Sequence, residues 1–392
     1  MTSAVIVDAV RTPGGKRNGK LAGWHSVDLA AECLKALADR NDLDPELVDD
    51  VIMGCVMQVG EQAVNVGRNA ALAAGYPESV PGTTIDRQCG SSQQALHFAA
   101  QGIMAGAYDV VVAAGVEVMT RTPMGASLVP DLGLPFGRAM MDRYQERGGL
   151  VSQGISAEMI ADQWNLSRTD LDAFGARSQA LAAQATAEGR FEKEIIPVRV
   201  RDAEGAETGD VATVDEGIRP NTTVEILGNL KPAFKPDGKV TAGNSSQITD
   251  GASAVLVMSE EKAVQLGLTP RARFHAFSLA GVDPITMLTG PIPATKKILE
   301  KAKMSIDDID LVEINEAFAS VVLAWEKELH PDMDKVNVNG GAIALGHPLG
   351  CSGARLMTTL VNELERTQTR WGLQTMCEGG GMANATIVER LG

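Results

Sequence analysis

Short apolar runs alternate with segments of helical periodicity twice along this chain of 392 residues, and this repeated alternation is what most constrains the fold. In the first part, apolar runs and helical patterns follow one another at residues 4–9, 26–43, 51–56, 63–74, 83–85, 91–106 and 109–114. After Pro270 the same alternation returns and continues to the end of the chain. A βαβα series predicts an α/β fold in which helices cover both faces of a mostly parallel sheet.

The two parts resemble each other at matching places. LDPELVDDVIMGC (43–55) resembles MSIDDIDLVEINEA (304–317), and CGSSQQALHFAAQGI (89–103) resembles CSGARLMTTLVNEL (351–364). We interpret the match as an internal duplication, since self-similarity along a chain indicates repeated structural units. The alternative is that any two βα units look alike.

Between the two parts the chain becomes polar and irregular, from about Thr120 to Gly238, with helical patterns at 156–164 and 169–188. This stretch looks like an insertion rather than a third core. The predicted organisation is therefore an N-terminal half at 1–119, completed by about 239–270, an inserted loop domain at 120–238, and a C-terminal half at 271–392.

Composition narrows the function classes. The formal net charge is −15 and no dense Lys/Arg cluster is present, so nucleic acid is not an expected partner, and an anionic ligand needs a local basic pocket. The five cysteines are scattered and form no CxxC, which predicts neither a disulfide framework nor a metal site. No signal peptide or apolar run of membrane-spanning length is evident. We expect a cytoplasmic protein that does not interact with membranes.

Cys89 is the first candidate for chemistry, because it stands where a short strand (TTI) meets a predicted helix that begins Gly90-Ser91-Ser92. A thiol at a helix N-terminus feels the partial positive charge of the free N–H groups, which predicts a lowered pKa and a reactive sulfur. Backbone N–H groups at such a turn also stabilise an oxyanion. The alternative is a small cysteine of the core.

His347 and Cys377 are further candidates, each next to glycines. His347 lies in a Gly-rich turn (GHP), and imidazole is the natural base for a thiol near neutral pH. Cys377 precedes Glu378 and three glycines, which let the backbone approach a ligand closely, and a second thiol suits proton transfer at carbon. The alternatives are a structural loop histidine and a core cysteine at a strand end.

Asn315 and Glu316 end the apolar strand DLVEI. An asparagine holds a water molecule or an oxyanion without carrying charge, and Glu316 is placed to orient His347 through a hydrogen bond, as acidic partners do in triads. The alternative is an N-cap asparagine followed by an acidic residue in the first helical turn.

Taken together, these segments resemble the signatures of the thiolase family. The motifs that carry the resemblance are DRQCGSSQQA, VTAGNSSQITDGASA (240–254), GPIPAT (290–295), NEAFA, NVNGGAIALGHPLGCSGAR and CEGGGMANA. The resemblance extends over essentially the whole chain. It implies a thiolase-like fold of two duplicated layered α/β halves, with mixed five-stranded sheets and an inserted loop domain.

The resemblance also implies a ping-pong acyl transfer between 3-ketoacyl-CoA and CoA. In that scheme His347 activates Cys89, which forms an acyl-cysteine, and Cys377 moves a proton to and from carbon. The enolate oxygen lies against His347 and a water held by Asn315, and the N–H groups of Cys89 and Gly379 hold the tetrahedral oxygen. Coenzyme A is a substrate, and no permanently bound cofactor is implied.

For substrate binding the resemblance implies contacts with Gln153 and with four further residues. Arg219 meets the nucleotide end of CoA, Ser246 the pantetheine arm, and Phe318 and Met287 the acyl end. Two positions depart from the pattern of the family: Gln153 stands where many members have Met, and Glu378 where an aliphatic residue is usual. The loop from Met119 to Gly149 also lacks the cation-rich pattern of the tetrameric acetoacetyl-CoA enzymes. These departures leave open the size of the acyl chain and the choice between a homodimer and a homotetramer.

The motifs favour a degradative 3-ketoacyl-CoA thiolase, including those that act on bulky or steroid-derived substrates, and hence a role in β-oxidation or other lipid metabolism. The nearest alternative is a biosynthetic acetoacetyl-CoA thiolase. A ketoacyl synthase is disfavoured because it needs no second cysteine such as Cys377. A non-catalytic CoA-binding relative is the remote alternative, disfavoured by the complete reactive set.

Overall fold

The computed structural model describes residues 2–392. Its strands are β1 (Ala4–Arg11), β2 (Gly15–Lys16), β3 (Asp50–Gly54), β4 (Gly82–Ile85), β5 (Val110–Val118), β6 (Val198–Arg201), β7 (Glu207–Ala212), β8 (Thr249–Ser259), β9 (Ala272–Gly281), β10 (Leu311–Ile314), β11 (Trp371–Glu378) and β12 (Met382–Arg390). The helices are α1 (Ser26–Arg40), α2 (Val66–Ala73), α3 (Ser91–Met104), α4 (Arg138–Gln145), α5 (Gln153–Gln163), α6 (Arg168–Ala187), α7 (Val224–Gly228), α8 (Glu260–Gln265), α9 (Pro291–Ala302), α10 (Ala319–Leu329), α11 (Ala342–Leu345) and α12 (Ser352–Thr367). Short 3₁₀ turns lie at Pro45–Leu47, Gly60–Gln62, Pro130–Leu132, Met287–Thr289, Ile306–Asp308 and Met333–Lys335.

The two halves share one strand order. In the first half the order is β4-β3-β5-β8-β1, and in the second it is β10-β11-β12-β9. The pairs β3–β5 and β10–β11 are parallel, whereas β5–β8, β8–β1, β11–β12 and β12–β9 are antiparallel. Identical order and polarity support the interpretation of the sequence as a duplicated α/β unit.

The sheet differs from the expected pair of five-stranded sheets in two ways. First, β1 pairs with β9 at Val5–Arg273 and Ile6–Ala272, so the halves form one continuous ten-stranded sheet. Second, the strand of the second half that corresponds to β4 is reduced to a single bridge from Val312 to Val336. The next residue, Asn337, has a φ of 48° and uses its side-chain amide to pair with the backbone N–H and C=O of Ile314, 2.8 Å from each.

Helices α3 and α12 occupy equivalent places in the two halves and pack against each other over the sheet. Both are buried along most of their length, and apolar residues of both belong to one hydrophobic cluster with strands β1, β5 and β8. Gly353 lies so close to α3 that a methyl group there would overlap the backbone nitrogen of Gln93. This contact brings together the two segments that begin with Cys89 and Cys351.

The segment between β5 and β8 carries α4 to α7 and the two-stranded sheet β6–β7. Helices α5 and α6 pack against α10 of the second half, and strand β6 joins the core of the first half. Arg11, fully buried at the end of β1, anchors the segment through ion pairs to Glu194 at 2.6 Å and Asp215 at 2.7 Å. Among residues 2–392, no helix is long and apolar enough to cross a membrane.

Candidate active site

A cavity of about 760 Å³ lies between the two halves and the inserted segment. Its lining includes six of the residues singled out from the sequence: Cys89, Gln153, Arg219, Ser246, Phe318 and His347. These residues come from points up to 258 positions apart in the chain, so only the tertiary fold brings them together.

Cys89 stands on a strained turn between β4 and α3. The preceding residue, Gln88, has a φ of 48°, which a residue with a side chain rarely adopts. The Asp86 carboxylate holds the turn by accepting a hydrogen bond from the backbone N–H of Gln88 at 2.6 Å. Gly90 follows directly and caps α3. The turn directs the sulfur of Cys89 to the cavity wall, as the sequence predicted for a nucleophile at a strand–helix junction.

The expected lowering of the Cys89 pKa is wrong for the free protein. Burial of the thiol raises its pKa to about 12, and the nearby Glu378 acts in the same direction. The N–H groups of Cys89 and Gly379 face the sulfur and oppose this shift, but burial outweighs them. Cys89 is therefore a neutral thiol at rest and needs a base to become a nucleophile.

His347 has a defined tautomer. Its Nδ1 lies 2.6 Å from the hydroxyl of Ser352, and that hydroxyl donates its single proton to the carbonyl of Pro348 at 2.9 Å. The hydroxyl must therefore accept from Nδ1–H, which leaves Nε2 unprotonated, with its lone pair facing the Asn315 amide at 3.4 Å. Burial, together with the positive charge of Arg355, lowers the pKa of His347 to about 3. The imidazole is neutral at physiological pH and presents Nε2 as a base.

Asn315 is fully buried behind the wall of the cavity. Its Nδ2 lies 3.4 Å from Nε2 of His347, and its Oδ1 has no hydrogen-bond partner in the protein. A buried amide oxygen without a partner is costly, and a water molecule that donates to it removes the cost. The geometry therefore fits the predicted water held by Asn315.

The predicted contact of Glu316 with His347 is wrong. The Glu316 carboxylate accepts from the Ser178 hydroxyl at 2.6 Å, from Nδ2 of Asn337 at 2.9 Å and from the N–H of Ile343 at 3.2 Å. These bonds hold the segment that leads into the histidine turn. Asn315 and Glu316 are neighbours after the end of β10 and face in different directions, so the side chain of Glu316 points to this segment. Ser352 is the residue that lies beside Nδ1 of His347.

Cys377 lies at the end of β11 and is fully buried. Burial raises the pKa of its thiol well above the usual value, and the two acidic groups that add to this shift are Cys89 and Glu378. Cys377 thus neighbours Cys89 in the fold, as predicted, although it does not itself line the cavity. The turn that follows contains Gly380 and Gly381, both with φ near 80°, and it presents the N–H of Gly379 to the Cys89 sulfur.

The predicted substrate-binding residues divide into three cases. Ser246 and Phe318 line the cavity next to Phe234, whose ring meets that of Phe318 edge to face at 5.9 Å. Arg219 lies at the exposed end, with its guanidinium 3.4 Å from Oε1 of Gln247. Met287 does not reach the cavity: it packs in the core of the second half, and Leu288 lines the cavity instead. The 3₁₀ turn at 287–289 directs Leu288, and not Met287, to the cavity. The order of the residues alone does not reveal this choice.

Several residues of the site were not predicted from the sequence, and three of these carry charge or orient the candidate base. Lys16 and Arg17 line the cavity, and with Arg219 they are its charged lining residues, all of them positive in a chain of net charge −15. The run GGKRNGK was a signal for this basic mouth. The third residue is Ser352, the partner of His347, for which proximity within the turn GHPLGCS was the signal.

The two unusual residues, Gln153 and Glu378, also lie at the site. Gln153 begins α5 and lines the cavity, and its Nε2 and the Oε1 of Gln88 both lie beside Gly379. Glu378 is fully buried next to Gly90. The site is therefore more polar around the nucleophile than an aliphatic residue at position 378 would make it.

Comparisons with known proteins find relatives that match this chain over essentially its whole length. Residues 4–261 match the family model described as thiolase, N-terminal domain, and residues 268–390 match that described as thiolase, C-terminal domain. The chain is 52% identical to the steroid 3-ketoacyl-CoA thiolase FadA6 of Mycobacterium tuberculosis, covering 100% of this chain and 95% of that protein. It is 48% identical to the 3-ketoacyl-CoA thiolase of Idiomarina loihiensis, covering 100% of both. The crystal structure of the Bacillus anthracis acetyl-CoA acetyltransferase superposes with a TM-score of 0.91 at 41% identity, covering 100% of this chain and 99% of that one.

Proposed function

This chain belongs to the thiolase family, and from that premise we propose that it is a degradative 3-ketoacyl-CoA thiolase, which uses CoA to cleave a 3-ketoacyl-CoA into acetyl-CoA and a shortened acyl-CoA. The observation that carries the proposal is the opening of Cys89 and His347 into one cavity, with Cys377 adjacent to Cys89. A nucleophile, a base and a second thiol for proton transfer at carbon are what this reaction requires.

The first step is proton transfer from Cys89 to Nε2 of His347. Because burial disfavours both the thiolate and the imidazolium, the resting pair is neutral, and the proton moves as the sulfur attacks the 3-keto carbon. The tetrahedral oxygen then carries negative charge, and the N–H groups of Cys89 and Gly379 are directed at this region. Each such donor contributes roughly 3 kcal/mol to stabilisation of the transition state.

Collapse of this intermediate breaks the bond between C2 and C3 and releases the enolate of acetyl-CoA. Cys377 gives its proton to C2, while His347 and a water on Asn315 stabilise the enolate oxygen. In the second half of the cycle, the thiol of CoA gives its proton to the Cys377 thiolate and attacks the acyl-cysteine. Cys89 leaves and recovers its proton from His347, so both cysteines and the histidine return to their initial state.

A degradative role with a bulky acyl group is favoured over acetoacetyl-CoA synthesis. The relatives support this preference, because they include a steroid 3-ketoacyl-CoA thiolase and a 3-ketoacyl-CoA thiolase. The test is thiolysis of 3-ketoacyl-CoAs that range from four carbons to ring-bearing acyl groups. We expect kcat/KM to rise with acyl size. Efficient turnover of acetoacetyl-CoA alone would favour the biosynthetic alternative.

The assignment of the nucleophile has its own test. In Cys89→Ala, both acyl transfer and stoichiometric labelling by iodoacetamide should be lost, whereas Cys377→Ala should retain labelling at Cys89 and lose turnover. Cys33→Ala is a matched control, because this buried cysteine lies on α1 in the core of the first half. Labelling that persists in Cys89→Ala would contradict the assignment of the nucleophile.

We also propose a cytoplasmic homodimer or homotetramer that acts in β-oxidation or related lipid breakdown. All five cysteines are free and buried, in keeping with a reducing compartment. Strand β4 forms an edge of the sheet, and large apolar side chains at Leu132 and Leu134 are 85% and 71% exposed, which supports self-association. Light scattering distinguishes the two assemblies from a monomer.

A further inference from the structure

Glu378 is a buried carboxyl group that the proposed mechanism does not use. It is the last residue of β11, directly after Cys377, and pairs across the hairpin with Met382 of β12. Successive residues of a strand face opposite sides of the sheet, so Cys377 and Glu378 point away from each other. The side chain of Glu378 therefore lies on the side of α3, where a methyl group on Gly90 would overlap its Oε1.

Neither carboxyl oxygen of Glu378 has a hydrogen-bond partner in the protein, although the residue is fully buried. The side-chain amide of Asn384 on β12 also lies close to Gly90. Its Nδ2 donates to the carbonyl of Gly90 and not to the carboxyl group of Glu378. A buried carboxylate without donors is strongly disfavoured, because it loses hydration and gains nothing in return. An un-ionised carboxylic acid fits this place far better.

The titratable groups around Glu378 belong to the turn that precedes α3 and to β11 itself. The turn that precedes α3 contributes Arg87, which favours the ionised carboxylate without forming an ion pair with it, and Asp86, which opposes ionisation. The facing part of β12, Met382 to Asn384, contributes no titratable group. The two remaining acidic groups are the thiols of Cys89 and Cys377, and Glu378 raises the pKa of both.

We propose that Glu378 is a positioning residue for the nucleophile, whose carboxyl group must be un-ionised for the Cys89 thiolate to form. This inference rests on the proposed function, since it takes Cys89 as the nucleophile. Two negative charges in one buried site repel each other, so the carboxylate and the thiolate exclude each other. Burial raises the pKa of Glu378 to about 8, so this carboxyl group ionises just above neutral pH.

The consequence is an upper pH limit for activation of the sulfur. Below this limit Glu378 is neutral, and burial and the Asp86 carboxylate are what oppose loss of the Cys89 proton. Above it, the carboxylate adds electrostatic repulsion at the moment when the sulfur becomes an anion. An aliphatic residue at position 378 would leave the reactivity of the sulfur without this dependence.

The test is the rate of alkylation of Cys89 by iodoacetamide, an uncharged probe, from pH 6 to pH 9.5, measured on the Cys89 peptide by mass spectrometry. We compare the wild-type protein with Glu378→Gln and Glu378→Leu. The ratio of each variant rate to the wild-type rate should increase with pH, by on the order of tenfold, which corresponds to a shift of about one pKa unit. Turnover should fall above about pH 8 in the wild type and less in the variants.

Glu389→Gln is the matched control, because it makes the same substitution at the far end of β12, opposite Trp371. The ratio of the Glu389→Gln rate to the wild-type rate should not vary with pH.

Ratios that stay flat for both Glu378 variants, with labelling still at Cys89, would overturn the inference and leave the proposed function intact. The wild-type profile gives a further test if a variant does not fold: a plot of log rate against pH with a slope of one throughout would also overturn it. Labelling that does not depend on Cys89 would overturn the proposed function instead.

Discussion

The Nδ1 atom of His347 lies 2.6 Å from the hydroxyl oxygen of Ser352, at the start of the last helix. The hydroxyl proton is committed to a backbone carbonyl, so the serine acts as an acceptor and selects the tautomer in which Nε2 is the base. A neutral hydroxyl in this place orients the ring and stabilises the imidazolium less than the carboxylate of a triad does. In the proposed mechanism, the proton that His347 takes is therefore held weakly and is easily returned.

Ser352→Ala should lower kcat/KM by about 10- to 100-fold, which corresponds to loss of one hydrogen bond to a buried group at about 1–3 kcal/mol. The loss should appear in kcat, with the KM for CoA little changed, because the serine contacts the base and not the substrate. Ser352→Thr keeps the hydroxyl and should restore much of the rate. Steady-state kinetics at pH 7.5 provide the measurement, and an unchanged kcat in Ser352→Ala would contradict the assigned tautomer.

Removal of a cation at the mouth of the cavity should weaken CoA binding. For Arg219→Ala and Arg17→Ala we expect the KM for CoA to rise about tenfold, or about 1.4 kcal/mol, with a smaller effect on kcat. The remaining dependence of KM on salt should be shallower than in the wild type, because fewer charges attract the phosphates. Lys35→Ala changes the net charge by the same amount at an exposed position on α1 and should have no such effect. Equal KM values in all four proteins would exclude a basic mouth.

The buried ion cluster of Arg11 should contribute strongly to stability. Arg11→Met leaves Glu194 and Asp215 buried without their partner, and we expect the free energy of unfolding to fall by about 3–5 kcal/mol. Arg199→Ala breaks an ion pair of similar length on the surface, to Glu207, and should cost less than about 1 kcal/mol. Urea denaturation of the two variants makes the comparison, and similar losses would show that burial of the cluster has no special effect.

Stability should depend on pH through Glu378. Between its usual pKa of 4.5 and its raised pKa of about 8, the folded protein keeps a proton that the unfolded chain has released. The free energy of unfolding then falls by about 1.4 kcal/mol for each pH unit, because the unfolded state binds fewer protons. Relative to the wild type, Glu378→Leu should gain about 3 kcal/mol more stability at pH 8.5 than at pH 5.5. A difference that is the same at both pH values would show that this carboxyl titrates normally.

Local patterns in the sequence were enough to identify much of the site. Cys89 follows an apolar run and precedes a helical pattern, so its place on a strand–helix turn was predictable from neighbouring residues. His347 and Cys377 were predictable for the same reason, because each stands beside glycines at the end of a regular element. The direction of the Cys89 pKa shift was not, since it depends on how deeply the turn is buried and on Glu378, which is 289 positions away.

The partners of the side chains were the main errors and omissions. Glu316 is acidic and close to the site in sequence, yet it bonds to Ser178 and Asn337, whereas the neutral Ser352 orients His347. Met287 and Leu288 are adjacent and both apolar, and only the backbone turn determines which of them reaches the cavity. Such choices depend on side-chain direction to within one residue, which hydrophobic periodicity does not specify.

The sequence by itself determined the alternation of strands and helices, the duplicated halves and the candidates for the reactive residues, because apolar periodicity, glycine turns and residue chemistry are local properties. Only the tertiary structure decided how the two halves join into one sheet through β1 and β9, which side chain orients His347, and which charges face Cys89. These features depend on contacts between residues that are far apart in the chain. Burial and distance, which govern hydrogen bonding and ionisation, exist only once the chain has folded.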